Sequence, residues 1–211
     1  FRNVIRRRAK KEPVQYIIGS TEFMSLPFNV NPSVVIPRPE TELLVESVIN
    51  ISKEKWKDKG VINFLDIGTG SGNIAVSIAK YVDNSRVYAI DISDDILKIA
   101  EENAGINGVA EKITFKNLSI FDAGQSEFTG INVIVSNPPY ISLKDFQGLS
   151  DEIKLFEPGV GLHNGADGLS FFKVICEKSK YWLTPDGMLF MEMGEGQSKD
   201  VFDIVKSSGF C

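Results

Sequence analysis

The sequence predicts an α/β fold: a mostly parallel sheet with helices on both faces, preceded by a short β-hairpin. Three stretches predict it. Val61–Ile67 is an apolar, β-rich run that passes straight into Gly68-Thr69-Gly70-Ser71-Gly72 and then the helical pattern NIAVSIAKYV. Arg86–Ile90 is a second such run and leads into Asp91. Ile131–Val135 is a third, followed at once by Asn137-Pro138-Pro139-Tyr140. Strands that alternate with helical patterns pair in parallel, because the chain must cross back before each new strand.

The chain opens on Arg2, Arg6, Arg7, Arg8, Lys10 and Lys11. This reads either as the solvated end of a helix or as a patch facing an acidic partner or RNA. The first residue is Phe1, not Met, which reads as a fragment or a processed chain. VQYIIG (14–19) and EFMSLPFNV (22–30) are short β-type runs, so a hairpin is expected with its turn at Ser20-Thr21. Pro37 and Pro39 then hold Arg38 in an extended loop, and Glu40 and Thr41 open a helix over 40–56. Its apolar positions are Leu43, Leu44, Val48 and Ile51. The loop is either a helix start and nothing more, or a rigid segment that closes over a ligand.

The glycine turn at 68–72 offers positive φ, close backbone approach and a helix N-terminus with unpaired N–H groups. Asp91, at the end of the second strand and about 20 residues on, occupies the position that bonds ribose hydroxyls in dinucleotide folds. Two cofactor classes fit: a nicotinamide or flavin, and a nucleoside-bearing cofactor such as S-adenosylmethionine. Dinucleotide sites use G-x-G-x-x-G, whereas this chain carries D-x-G-x-G-x-G with Asp66 ahead of the first glycine. That spacing favours the second class.

A helix over 94–104 is expected, capped by Ser93 or Asp94, then a third strand over Ile113–Leu118. Ser119, Ile120, Phe121 and Asp122 follow at the place where an adenine ring would be gripped. Residues 123–130 read as a polar loop. Two successive prolines at 138 and 139 can neither extend a ladder nor start a helix, so Asn137 sits at the mouth of a strand on stiff backbone. An amide, an aromatic ring and rigid carbonyls at such a mouth suit a planar amino group. Residues 141–166, with Gly148, Gly159, Gly161 and Gly165, lack periodicity and read as a lid or substrate loop. A helix over Leu169–Trp182, a turn at Pro185-Asp186-Gly187, a fifth strand over Met188–Met193 and a helix over Gly196–Ser208 complete the chain.

Composition narrows the function. Net charge is −5, a poor basis for general nucleic-acid binding. No apolar run approaches the ~18 residues of a membrane span. Cys176 and Cys211 have no metal-type spacing and read as reduced thiols of a cytoplasmic protein. His163 is the single histidine, which excludes a His-rich metal site, and it reads as a loop residue without a catalytic role.

The order of these motifs resembles the class I S-adenosylmethionine-dependent methyltransferases, with their Rossmann-like fold. More closely it resembles the HemK/PrmC group, the protein-(glutamine-N5) methyltransferases that modify peptide chain release factors. The matching stretches are IPRPETELLVE (36–46), LDIGTGSGNIA (65–75), AID (89–91), IVSNPPYI (134–141), FEPGVGL (156–162) and GADGLSFF (165–172). NPPY is shared with DNA and RNA amino-methyltransferases, but PRPET together with the two downstream stretches is more specific. The resemblance implies residues 1–36 as linker and hairpin and 37–211 as the methyltransferase domain. The family's adenine-side acid aligns with Ser119 here, and Asp122 is the alternative. The family's N-terminal helical domain and its sixth and seventh strands have no counterpart in this chain, so open sheet edges are expected.

The resemblance also implies roles. Asp66, Gly68, Thr69, Gly70, Ser71, Gly72, Asp91, Ile92, Ser119, Ile120 and Asn137 would hold S-adenosylmethionine, with Asp66 attracting its ammonium and Asp91 bonding its ribose. Asn137, Pro138 and Tyr140 would carry the transfer. The Asn137 side-chain oxygen and the Pro138 carbonyl would accept the two amide hydrogens of glutamine, and Tyr140 would form an aromatic wall. Pro139, Phe23 and Arg38 would join them on the substrate side, although Phe23 and Arg38 suit structural roles equally. No metal is required. The expected partner is a release factor, met by a cytoplasmic monomer without nucleic acid or membrane. Two rivals remain: an amino-methyltransferase of DNA adenine or rRNA guanine, and a cofactor-binding module without activity.

Overall fold

The computed structural model describes residues 2–58, 60–163 and 167–210. Gly165 and Ala166 of the GADGLSFF stretch lie outside the described residues, as do Phe1 and Cys211.

The chain begins with helix α1 (Arg2–Ala9) and a single helical turn, α2 (Val14–Ile18). A hairpin follows, β1 (Ser20–Phe23) against β2 (Leu26–Asn29). Helix α3 (Pro39–Lys55) leads to the first sheet strand, β3 (Ile62–Ile67). Then come α4 (Asn73–Tyr81), β4 (Ser85–Asp91), α5 (Asp94–Ile106), β5 (Ile113–Asn117) and β6 (Ile131–Ser136). Two short helices, α6 (Leu143–Gly148) and α7 (Asp151–Phe156), precede α8 (Ser170–Trp182), β7 (Leu183–Met191) and α9 (Ser198–Ser207). The described residues form a five-stranded sheet in the order β5-β4-β3-β6-β7, with every pairing parallel. Its outer strands are β5 and β7.

Alternation along the central strands builds two cores. Ile62 and Phe64 of β3, Val87 and Ala89 of β4 and Val133 and Val135 of β6 face α3, α4 and the hairpin. Leu65, Ile67, Ile90 and Ile134 face the other way, onto Ile175 and Trp182 of α8 and onto Phe128. Burial on both sheet faces explains why these strands read as unbroken apolar runs. The strand order reverses between β3 and β6, which opens a crevice at the carboxyl ends of those strands. Among the described residues no helix is long and apolar enough to cross a membrane.

Four expectations need correction. The run at 14–18 is helical, ended by Gly19 in the left-handed region (φ 85°), and Tyr16 is anchored by its hydroxyl to the Val34 carbonyl at 2.6 Å. The hairpin therefore lies wholly in 20–29, and its turn is Met24-Ser25, both at positive φ. Such a two-residue turn normally carries Asn or Gly, so the local signal was missing. On α3 the core face is Thr41, Val45, Val48, Ile49 and Ser52, whereas Leu43 is exposed. Pro185-Asp186-Gly187 is a bulge inside β7 rather than a turn before it: Leu183 pairs with Ile131 and Met188 with Val133, and the Trp56 indole donates to Asp186 at 2.9 Å. Finally, 141–163 is not structureless: α6 and α7 fold there, and Ile141 bridges to His163.

The basic N-terminal stretch is a helix end. Arg7 pairs with Glu12 at 2.5 Å, while Arg8 and Lys11 pair with Glu152 and Asp151 of α7 at 3.1 and 2.5 Å. These exposed pairs orient the helix more than they stabilise it.

Candidate active site

One cleft of about 260 Å³ lies across the carboxyl ends of β3, β4 and β6. Gly68, Thr69, Gly70, Ser71, Asp91, Ile92, Ile120, Asn137, Pro138, Pro139, Tyr140 and Arg38 all line it. Four expected residues do not. Ser119 lies off the wall, and its neighbours Leu118 and Ile120 make the apolar surface instead. Phe23 is buried in the core beneath the hairpin, edge-on to Phe28 at 6.1 Å. Gly72 and Asp66 act from behind the wall.

At the β3 and β4 mouths the backbone does most of the building. Gly68 and Thr69 donate their N–H groups to the Ile90 carbonyl, at 2.9 and 3.0 Å. Gly68 and Gly70 sit at φ 74° and 54°, and open space lies where their side chains would project. Residues there approach a ligand with backbone alone. Gly72 answers a different need: a Cβ would come within 3.0–3.2 Å of Ala100, so it lets α4 pack on α5. Asp91 accepts from Gly70 N at 2.9 Å and Ile92 N at 2.8 Å, which leaves further lone pairs for hydroxyl donors. Burial pushes its carboxyl above the ordinary range, opposed by those two N–H groups. Asp66 is fully buried, and its Oδ2 accepts from the Thr69 hydroxyl at 2.7 Å and Ala75 N at 3.2 Å. Its Oδ1 has no partner among the described residues. Burial raises this carboxyl to about 7.

The fully buried Asn103 extends this construction to the hairpin. Its amide donates to Ser71 O at 2.8 Å and Asn29 O at 3.0 Å, and accepts from Asn29 N at 2.7 Å. The hairpin thus braces the glycine turn.

At the β6 and β7 mouths side chains do the building. Ser136 donates to the Ile67 carbonyl at 2.7 Å and locks the end of β6 to β3. Beyond it, Asn137 Nδ2 donates to the Thr41 hydroxyl oxygen at 3.0 Å. Thr41 in turn donates to Glu192 Oε2 at 2.6 Å, and the Tyr140 hydroxyl donates to Glu192 Oε1 at 3.0 Å. Burial and the neighbouring Glu192 push the Tyr140 phenol up to about 12, so it remains a donor. Gln197 donates to the Tyr140 carbonyl at 2.9 Å and accepts from Gly194 N at 2.9 Å. Gly168 packs against the same carbonyl: a Cβ there would stand 2.2 Å from Tyr140 O. Arg38 on the cleft wall is held by the buried Glu157 at 2.6 Å, which joins the PRPET loop to FEPGVGL. Thr41, Gly168, Glu192 and Gln197 were not anticipated as site residues. For Glu192 and Gln197 the one hint is the polar run EMGEGQ directly after a strand; Thr41 and Gly168 carry no local mark.

The residues present suit a nucleoside cofactor with a cationic tail. A glycine-rich turn, a carboxylate beside it, an apolar slot at Leu118 and Ile120, and a buried carboxylate with an oxygen unpartnered among the described residues are its complements.

Comparison with known proteins decides the family. The sequence matches the family model described as a methyltransferase domain over residues 58–192. It is 38% identical over 211 residues to the release factor glutamine methyltransferase of Geobacter sulfurreducens, covering all of this chain and 70% of that protein. The chain belongs to the release factor glutamine methyltransferase family. The relative of that name in Thermodesulfovibrio yellowstonii is also 38% identical, over 74% of its length. Among solved structures, an S-adenosylmethionine-dependent methyltransferase of Agrobacterium tumefaciens superposes with a TM-score of 0.62 at 13% identity, over 90% of this chain and 57% of that one. That likeness shows the fold, and bears out the expected Rossmann-like methyltransferase architecture. The resemblance carried by PRPET, NPPY and the downstream stretches is borne out by the relatives.

Proposed function

We propose that this family member transfers a methyl group from S-adenosylmethionine to the side-chain amide nitrogen, N5, of a glutamine in the GGQ motif of a peptide chain release factor. The observation that carries this reading is the single cleft joining the Gly68–Gly70 turn and Asp91 to an Asn137 whose amide is held by its Nδ2 end. S-adenosylmethionine, when bound, supplies the methyl group on a sulfonium centre. Gly68, Thr69, Gly70 and Ser71 would receive its amino-acid portion by backbone approach. Asp91 would accept from the ribose hydroxyls, and Ile92, Leu118 and Ile120 would enclose the adenine.

A glutamine nitrogen is a weak nucleophile because its lone pair is delocalised into the carbonyl. Asn137 Oδ1 and the Pro138 carbonyl would accept its two hydrogens and orient the lone pair at the methyl group. Tyr140 would flank the planar amide. Transfer would form the N–CH₃ bond at the expense of the sulfonium S–CH₃ bond, leaving S-adenosylhomocysteine, and the methylated nitrogen, now acidic, would give its proton to water. No general base is needed during transfer. With a release factor as substrate, the enzyme would work in the cytoplasm and as a monomer. Net charge −5 and the names of the relatives both weigh against nucleic acid as the substrate.

The test is tritiated-methyl transfer to a release factor and, in parallel, to nucleic acid, with Asn137→Ala beside the parent. The parent labels the release factor, and the variant loses about 10²-fold or more in rate, the scale of removing one oriented polar group from a reacting centre. Labelling of nucleic acid instead would move the protein to the rival class. A variant at the parental rate would remove Asn137 from the mechanism.

A further inference from the structure

We infer that Glu192 is a positioning residue whose carboxylate sets which end of the Asn137 amide faces the cleft. This rests on the reading of Asn137 as the acceptor of a substrate amide hydrogen. Hydrogen-bond direction decides this. An amide presents an oxygen and a nitrogen of nearly equal shape, so its orientation is decided by its partners. The partner of Asn137 is the Thr41 hydroxyl, which has one proton and can either donate to the amide or accept from it. Thr41 has already given that proton to Glu192 Oε2 at 2.6 Å. An ionised carboxylate only accepts. Thr41 therefore must accept from Asn137 Nδ2, as it does at 3.0 Å, and Oδ1 is the end left for a ligand.

The other oxygen of Glu192 accepts from the Tyr140 hydroxyl at 3.0 Å. One carboxylate thus governs both polar side chains of Asn137-Pro138-Pro139-Tyr140. Its own place is held by the sheet, since Glu192 N donates to Ser136 O at 3.0 Å and continues the β6–β7 ladder by one residue. Glu192 is not on the cleft wall, and it reaches the cleft through Thr41 and Tyr140, which are.

A glutamine at 192 would keep the shape and reverse the polarity. Its oxygen would go to the Tyr140 hydroxyl, which needs an acceptor, and its nitrogen would then donate to Thr41. Thr41 would be free to donate to Asn137 Oδ1, turning Asn137 Nδ2 toward the cleft. A donor would then face the substrate's own amide hydrogens. The arrangement that satisfies Tyr140 is the one that inverts Asn137.

The test measures release-factor methylation by Glu192→Gln, Tyr140→Phe and the double variant, with S-adenosylhomocysteine affinity from calorimetry and a thermal melt for each. Glu192→Gln is expected to lower kcat by about tenfold, the population shift that one hydrogen bond's preference produces. Affinity for S-adenosylhomocysteine stays within about twofold, because the Gly68–Ser71 turn and Asp91 that would receive it are untouched. On the Tyr140→Phe background the same change costs less, because no phenol then demands the glutamine oxygen. Loss from a merely structural role would be the same on both backgrounds and would appear in the melt. Glu192→Gln at the parental kcat, or an equal loss on both backgrounds, would overturn the inference while leaving the proposed function standing. A parent that transfers nothing to the release factor would overturn the proposed function itself, and the inference with it.

Discussion

The two halves of the cleft are built by different means. The half at β3 and β4 is local. Asp66 reaches Thr69 and Ala75, three and nine residues on, and Asp91 reaches back 21 residues to Gly70. Backbone atoms and positive-φ glycines make most of its surface. The half at β6 and β7 is assembled from afar. Thr41 and Glu192 are 151 residues apart, and Asn137 and Thr41 are 96 apart. Side-chain hydroxyls, carboxylates and amides make its contacts. A ligand that must be gripped whatever its substrate suits the first construction. Chemistry that needs one amide in one orientation suits the second, because a chain of donors and acceptors carries direction while a turn of glycines does not.

This contrast predicts that lesions on the two sides separate rate from affinity. The largest effect is expected from Gly168→Ala. Its φ of 77° and the 2.2 Å approach of a Cβ to Tyr140 O force the NPPY backbone aside. A displacement of about 1 Å at a reacting centre lowers kcat by about 10²-fold. Steady-state kinetics should show that loss with affinity for S-adenosylhomocysteine retained, and equal loss of both would merge the two halves into one unit. Asp91→Ala comes next. It deletes the acceptor for Gly70 N and Ile92 N and the group assigned to the ribose, so calorimetry should show affinity falling about 10–100-fold. At saturating cofactor its kcat should stay near the parental value.

The smallest effect sharpens the first half alone. The Asp66 carboxyl lies well above its ordinary range, at about 7, because burial disfavours its ionised form. Between about pH 4 and pH 7 the folded protein therefore holds a proton that the unfolded chain has lost, so the stability of the ligand-free protein declines as pH rises through that window. Asp66→Asn should flatten that decline in denaturant titrations. If Asp66 acts on the cofactor ammonium as the resemblance implies, its ionised form would attract that group across the turn, and parental affinity for S-adenosylhomocysteine should tighten as pH rises through about 7. The asparagine variant should lose this dependence, and an unchanged pH profile would detach Asp66 from the cofactor.

Legibility followed the same division. Val61–Ile67, the glycine turn and Asp91 were readable, because a strand, a turn and a helix in succession are specified by neighbours in sequence. Asn137-Pro138-Pro139-Tyr140 was readable as a stiff strand exit. Its supports were not. Nothing local marks Thr41 as more than a helix opener, or Glu192 as more than a polar residue after a strand. The run at 14–18 misled because its β-branched residues favour a strand, while Pro13, Gly19 and the Tyr16 anchor impose one helical turn. Phe23 misled differently: an aromatic beside a hairpin turn packs as readily inward as toward a cleft, and here it is buried.

From sequence alone came the alternation of strands and helices, the parallel sheet, and the two strand exits where chemistry gathers. Those follow from periodicity and from residues that restrict the backbone, which act over a few positions. The fold decided which way the Asn137 amide points, that Gly72 serves packing rather than a ligand, and that Gly168 must lack a side chain. Each of these depends on an atom brought within about 3 Å from a distant part of the chain, and no local pattern records that approach.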